Sequence, residues 1–275
     1  MRVPVTTLND GYDLPLLGLG TYQLDPAETE TIVRTAIELG YRHIDTASLY
    51  GNEVEVGKAI NGAIAAGDVT REELFVTTKL WNDDQERVGE AYEESLRRLD
   101  LEFVDLYLVH WPWPQHGTYV QAFEQIAQLQ GMGRLQSVGV ANFYPEVLDE
   151  IIEQTGVTPA LNQVELHVGF TQSELREYHA KRGILTEAWA PLARGGNFDN
   201  PEIRAVADAH SATPAQVSLA YLMQLGCSVV PKTSNAQRLV ENLGAVDVEL
   251  TAQDCEVLER VAGERLSGDP RTFPG

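Results

Sequence analysis

Short apolar runs alternate with longer stretches of helical period along almost the whole chain. The runs lie at 16–20, 43–47, 74–80, 104–110, 137–143, 161–166, 185–190 and 227–231. Several, such as FVTTKL and VDLYLVH, are apolar nearly throughout, as parallel strands buried on both faces are. Amphipathic segments separate them near 26–39, 53–66, 84–98, 118–130, 145–154, 173–181, 201–209 with 214–224, and 235–243, and a last one covers 251–261. Pro26 opens the first helix where its missing N–H costs nothing, and Gly40 closes it. Glu90, Glu93 and Glu94 precede Arg97 and Arg98 at helix-face spacing, which marks a solvated outer stripe. The N-terminus breaks the alternation. Residues 5–8 and 13–16 flank Asn9-Asp10-Gly11, the signature of a β-hairpin. Eight β-then-α units with no linker between them predict a (β/α)8 TIM barrel carrying an N-terminal hairpin and extra helices.

Length agrees with this pattern. The 275 residues match one such barrel, roughly 250 residues in size, so the expectation is a single domain over 1–275. The net charge of −21 narrows the partners, because a surface this acidic repels nucleic acid and anionic membranes. No apolar run reaches the roughly 20 residues that span a bilayer, and the first residues do not read as a signal peptide, so a cytoplasmic location is expected. No large apolar face stands outside the barrel pattern, which favours a monomer. Cys227 and Cys255 form neither a disulfide framework nor a metal-ligand spacing, and no metal is expected. HExxH, GxSxG and CxxC are all absent, which leaves zinc hydrolase, serine hydrolase and dithiol chemistry without a motif.

In a barrel of this kind, chemistry gathers where strands end and βα loops begin. The second strand ends with Asp45, and the loop after it supplies Tyr50. The third ends with Lys79 and the fourth with His110. A buried Asp and Lys at a barrel mouth must pair, since an isolated buried charge is very costly. A cation beside a tyrosine hydroxyl favours the phenolate, so a lowered Tyr50 pKa is expected. His110 can donate a hydrogen bond to a carbonyl oxygen, which makes an oxyanion site with its own proton donor. An aldolase using Lys79 as a Schiff base is disfavoured, because Asp45 would keep that amine charged.

The segments GLGTYQ, YRHIDTASLYGNE, VTTKLW, DLYLVHWP, VGVANF, NQVELH, AWAPL and VVPKTSNAQRLVEN span residues 18 to 242. In that order they resemble the signature segments of the aldo-keto reductases, in particular the bacterial branch related to 2,5-diketo-D-gluconate reductase. The resemblance implies NADPH-dependent reduction of aldehyde and ketone carbonyls, with Asp45, Tyr50, Lys79 and His110 as the catalytic tetrad and Tyr50 as proton donor. It further implies that Asn142 and Gln163 hold the nicotinamide carboxamide and that Trp189 stacks on the ring. Gly20, Thr21, Tyr22 and Asp45 would line the cofactor from the first loops, and Pro191 and Leu192 from the seventh. Lys232, Thr233, Ser234 and Arg238 would grip the adenosine 2′-phosphate of NADPH or NADP+, while Glu241 and Asn242 would reach the adenine. With only four lysines in the chain, Lys232 and Arg238 at a barrel mouth stand out as a local anion site.

Tyr22, Leu49, Trp81 and Trp111 read as walls of the substrate pocket. Arg194, in the loop after the seventh strand, is a candidate partner for a substrate carboxylate. Ala141 and Ala190 depart from the family, which commonly has Ser or Thr at the first and Ser or Gly at the second. The short polar tail from Glu264 resembles that of the bacterial branch and predicts an open pocket for small polar carbonyls.

Overall fold

The computed structural model describes residues 3–273. The hairpin comes first. β1 (Val5–Thr7) pairs antiparallel with β2 (Asp13–Pro15), with Thr6 opposite Leu14. Eight parallel strands follow in one sheet whose spatial order is the chain order: β3 (Leu19–Gly20), β4 (His43–Asp45), β5 (Phe75–Leu80), β6 (Leu106–Val109), β7 (Ser137–Ala141), β8 (Leu161–Glu165), β9 (Leu185–Trp189) and β10 (Ser228–Val229). The first and last meet through Leu17 with Val229 and Gly20 with Lys232, which closes the barrel. A Cβ at Gly20 would lie 2.8 Å from the Val230 carbonyl oxygen, so glycine there is what lets these two edges approach.

The helices fall where their period places them. They are α1 (Pro26–Leu39), α2 (Glu53–Ala66), α3 (Val88–Leu99), α4 (Tyr119–Gly131), α5 (Pro145–Thr155), α6 (Ser173–Arg182), α7 (Pro201–Ala209), α8 (Pro214–Gln224), α9 (Ala236–Leu243) and α10 (Ala252–Glu259). Asp25 caps α1 by accepting from the Ala27 N–H, and Gly40 ends it with φ of 106°. Two elements are shorter than their apolar patterns. α3 starts at Val88, not near 84, because Asn82–Asp84 forms a 3-10 turn and the Gln85 amide is drawn to the Trp111 carbonyl at 2.9 Å. β10 ends at Val229, just ahead of Pro231, which has no N–H to donate.

One large apolar cluster lies between the sheet and the helices, with Ile44, Val76, Tyr107, Val140 and Val164 among its members. A second fills the barrel near the starts of the strands, where Leu8 and Leu14 of the hairpin pack on Phe75, Leu106, Leu108 and Leu161. The hairpin therefore plugs the bottom of the barrel. The opposite end, where the strands finish, is left for the polar residues.

Candidate active site

β4 and β5 run side by side, with Asp45 opposite Thr77, so that Asp45 and Lys79 project into the barrel mouth from adjacent strands. Lys79 Nζ lies 2.7 Å from each oxygen of Asp45, 2.9 Å from the Thr46 carbonyl and 3.4 Å from the Tyr50 hydroxyl. Its side chain is fully buried. Burial works against the ammonium, but Asp45, with Tyr50 and Glu187, more than offsets it and holds the Lys79 pKa above its ordinary value. The 3-10 turn Ser48–Tyr50 delivers the phenol, and the Ser48 hydroxyl fastens that turn to the Lys79 carbonyl at 3.0 Å. At the end of β6, the His110 ring meets Tyr50 edge-on at 5.7 Å and Trp81 at 5.2 Å.

The expected lowering of Tyr50 does not occur. Burial pushes its pKa up to about 12; Lys79 pulls it down, while the nearby Asp45 carboxylate offsets part of that pull. Desolvation of the phenolate outweighs the cation beside it. His110 moves the other way: burial, with Lys79 adding to it, holds its pKa well below the ordinary histidine value. Near neutral pH the mouth therefore contains a phenol, an ammonium and an uncharged imidazole.

Beside the tetrad, two amides occupy the ends of β7 and β8. Asn142 adopts a left-handed backbone (φ 64°) and uses both ends of its amide. Its nitrogen donates to the His110 carbonyl at 3.0 Å, and its oxygen accepts from the Trp189 indole at 2.9 Å. Asn142 thus orients the half-buried Trp189. The Gln163 amide nitrogen donates to Asp45 at 2.8 Å and to Glu187 at 2.7 Å. Thr21 is buried and bonds the Asp45 carbonyl, Pro191 is buried, and Leu192 is half-buried. Ala190 has φ of 50°, a conformation glycine adopts without strain and alanine does not.

The last cofactor candidates cluster after β10. Lys232, Ser234 and Arg238 are exposed, while Thr233 and Asn242 are buried and Glu241 is half-buried. The Asn235 side chain caps α9, accepting from the N–H groups of Gln237 and Arg238. Among the described residues, neither Lys232 nor Arg238 has an acidic partner within ion-pair distance, although acids outnumber bases two to one. Two unpaired cations beside a capped helix start fit a phosphate. Arg194 is likewise exposed, in a 3-10 turn that follows Trp189.

The pocket walls divide. Tyr22 and Leu49 are exposed, Trp81 is half-buried and Trp111 is buried. Phe273 covers Trp111, with ring centroids 4.3 Å apart. The tail from Glu264 is therefore folded onto the mouth instead of leaving it open. Glu165, at the end of β8, holds it by accepting from the Leu266 N–H and the Ser267 hydroxyl. Burial opposes the charge on Glu165, yet these bonds and His167 keep its pKa below the ordinary carboxylate value. Where the tail crosses, a cleft of about 690 Å³ is lined by Asn142, Tyr144, Glu165, Phe170, Arg265 and Arg271, among others. Sequence reasoning missed Glu165, Glu187 and Phe273. The first two carry a visible signal, since each is an acid within a buried strand; Phe273 carries none.

Comparison with known proteins agrees with this geometry. The family model described as Aldo/keto reductase family matches residues 16–262. An aldo-keto reductase of Mycolicibacterium smegmatis is 46% identical over 273 residues, with 98% of each chain covered. Methylglyoxal reductase DkgA of Escherichia coli K12 is 44% identical, again with 98% of each chain covered. A crystal structure of a Gox0644 mutant in complex with NADPH superposes with a TM-score of 0.94 at 41% identity, covering 100% of both chains. With a family match over most of its length and a barrel mouth built on Asp45, Tyr50, Lys79 and His110, this chain belongs to the aldo/keto reductase family.

Proposed function

We propose that this enzyme reduces small polar aldehydes and ketones to alcohols with NADPH, and that Tyr50 is the proton donor. The observation that carries the assignment of Tyr50 is the chain of contacts from Asp45 through Lys79 Nζ to the Tyr50 hydroxyl, at 2.7 and 3.4 Å. NADPH, when bound, supplies the hydride; the protein supplies position and charge. Trp189, held by Asn142, and the amide of Gln163 are placed to receive the nicotinamide end. Lys232 and Arg238 are placed to receive a phosphate.

Each tetrad residue has a separable task. The substrate carbonyl oxygen sits between the Tyr50 hydroxyl and the His110 ring. His110, uncharged, donates one N–H to that oxygen and orients it. Tyr50 passes its phenolic proton to the same oxygen as negative charge develops there, and the Lys79 ammonium stabilises the phenolate left behind. Asp45 keeps Lys79 charged and in place. Tyr22, Leu49, Trp81 and Trp111, with Phe273 behind Trp111, make the walls apolar and the oxygen site the polar point of the pocket. The relative named methylglyoxal reductase supports a small dicarbonyl or keto-acid substrate. We take the enzyme to act in the cytoplasm and as a monomer; the monomer reading is supported by its net charge of −21, which keeps copies apart. Sedimentation at a mass other than the 30.3 kDa of one chain would remove the monomer assignment.

The test is NADPH oxidation with a panel of aldehydes, keto acids and diketones, run on the wild type and on Tyr50→Phe. Turnover that falls by roughly 10²–10⁴-fold in the variant, with NADPH still bound, is the expected result. NADPH binding without multiple turnovers in the wild type would replace catalysis with a nucleotide-sensing role.

A further inference from the structure

Beneath the tetrad lies a second carboxylate that the reduction does not use. Glu187 is fully buried in β9, in a strand otherwise composed of apolar residues and a threonine. One of its oxygens accepts from the Ser228 hydroxyl at 2.9 Å and faces His43 Nδ1 at 3.7 Å. Its neighbours are fixed as well. His43 bonds Thr77 at 3.2 Å and is packed so tightly against Gly18 that a Cβ there would meet its ring at 2.6 Å. The carboxylate is thus held from two other strands, β10 and β4, and presents its remaining oxygen to Gln163 at 2.7 Å.

The geometry of Gln163 gives that contact a meaning. A primary amide has two N–H groups, and here one goes to Asp45 and the other to Glu187. Both donors being consumed by acids, the planar amide must turn its carbonyl oxygen away from them. Among the described residues no hydrogen bond reaches that oxygen. Asp45 alone is a shared anchor, since Lys79 already engages both of its oxygens. Glu187 is the partner that removes the amide's remaining freedom.

We propose that Glu187 is a positioning residue for cofactor recognition. It fixes the Gln163 amide with its carbonyl oxygen free, so that the site selects a pyridine ring bearing a carboxamide, whose NH2 that oxygen accepts. The inference rests on the reading that Gln163 receives the nicotinamide carboxamide. The competing role is purely structural, a stitch between β9, β10 and β4.

Equilibrium binding separates the two, without turnover. NADP+ is compared with its 3-acetylpyridine analogue, which replaces the carboxamide NH2 by a methyl group, and dissociation constants are read from quenching of tryptophan fluorescence. The wild type is expected to favour NADP+ by roughly tenfold, the size of one hydrogen bond whose loss leaves a buried partner unpaired. Glu187→Leu is expected to bring the two ligands within about twofold. Glu187→Gln, which keeps an oxygen for Gln163 and an N–H for Ser228, is expected to retain the preference. Glu187→Ala is measured in parallel, so that poor folding of the leucine variant does not decide the matter. Gln163→Leu is the control. If it abolishes the preference while Glu187→Leu and Glu187→Ala retain it, Glu187 is only a stitch and the proposal fails. If Gln163→Leu itself retains the preference, the reading of Gln163 as the carboxamide partner fails, and the proposal falls with it.

Discussion

Removing the carboxyl charge of Asp45 strands a fully buried ammonium. In the wild type that ammonium sits 2.7 Å from both Asp45 oxygens, with the Thr46 carbonyl at 2.9 Å and the Tyr50 hydroxyl at 3.4 Å as uncharged partners. At an effective dielectric constant near 20, a unit pair at this separation attracts by about 6 kcal/mol. Much of that repays the desolvation of the two charges, so the net value of the pair is small. The loss of one partner is not small. Asp45→Asn is therefore expected to cost about 3–5 kcal/mol, and to lower Tm by roughly 10 °C for a chain of this size. Lys79→Met should cost a similar amount, because it leaves Asp45 buried with only the Gln163 N–H to serve it. The double variant buries neither charge and should be more stable than either single one.

Urea unfolding followed by tryptophan fluorescence, for all four proteins, measures the coupling directly. A second signature follows from titration. In Asp45→Asn, burial without its counter-ion depresses the Lys79 pKa below its unfolded value, so the unfolded chain binds the extra proton. Stability of that variant then rises with pH up to the unfolded lysine value of about 10.4. Single losses that add within about 0.5 kcal/mol would refute the reasoning, since they would mean that the two groups do not act as a buried ion pair.

Two further outcomes are expected. With the Tyr50 pKa pushed up to about 12 and His110 held well below its ordinary value, neither group changes charge near neutrality. Thus kcat/KM for carbonyl reduction should stay flat between about pH 6 and 9, while alcohol oxidation should rise roughly tenfold per pH unit. A descending limb for reduction near pH 8 that is absent from a slow Tyr50→Phe background would place the phenol far lower. Lys232→Gly combined with Arg238→Ala should erase a preference for NADPH over NADH, a loss of roughly 10²-fold carried by two charge-assisted contacts. Equal use of both cofactors by the wild type would remove the 2′-phosphate assignment.

The barrel is legible because short strand-like runs alternate with segments of helical period that carry start and stop signals, as at Asn235, which caps the start of α9, and Gly40, which ends α1. The meeting of these side chains is legible for a related reason: Asp45, Lys79 and His110 are polar residues at the ends of strands, where only the mouth can accommodate them. What could not be read depends on three-dimensional convergence. Glu187 and Glu165 are visible in the sequence as acids in buried strands, but their partners, Gln163, Ser228 and the Leu266 N–H, come from elsewhere in the chain. Phe273 lies in a polar tail with no periodicity, so nothing along the chain points it at Trp111. The direction of the Tyr50 pKa is not legible either, because proximity of a cation follows from strand order, whereas depth of burial does not.

A raised pKa does not weaken Tyr50 as the proposed proton donor, because the relevant comparison is with the oxygen that receives the proton. An alkoxide forming at the carbonyl oxygen is a base comparable to hydroxide, whose conjugate acid, water, ionises far above the phenol range. A phenol at about 12 is well below that. Transfer to such an oxygen is then downhill. Lys79 needs only to keep the phenolate from being costlier still, which its contact with the hydroxyl allows it to do. Burial meanwhile keeps the proton on Tyr50 until a substrate oxygen demands it. A raised pKa is therefore compatible with proton donation by Tyr50.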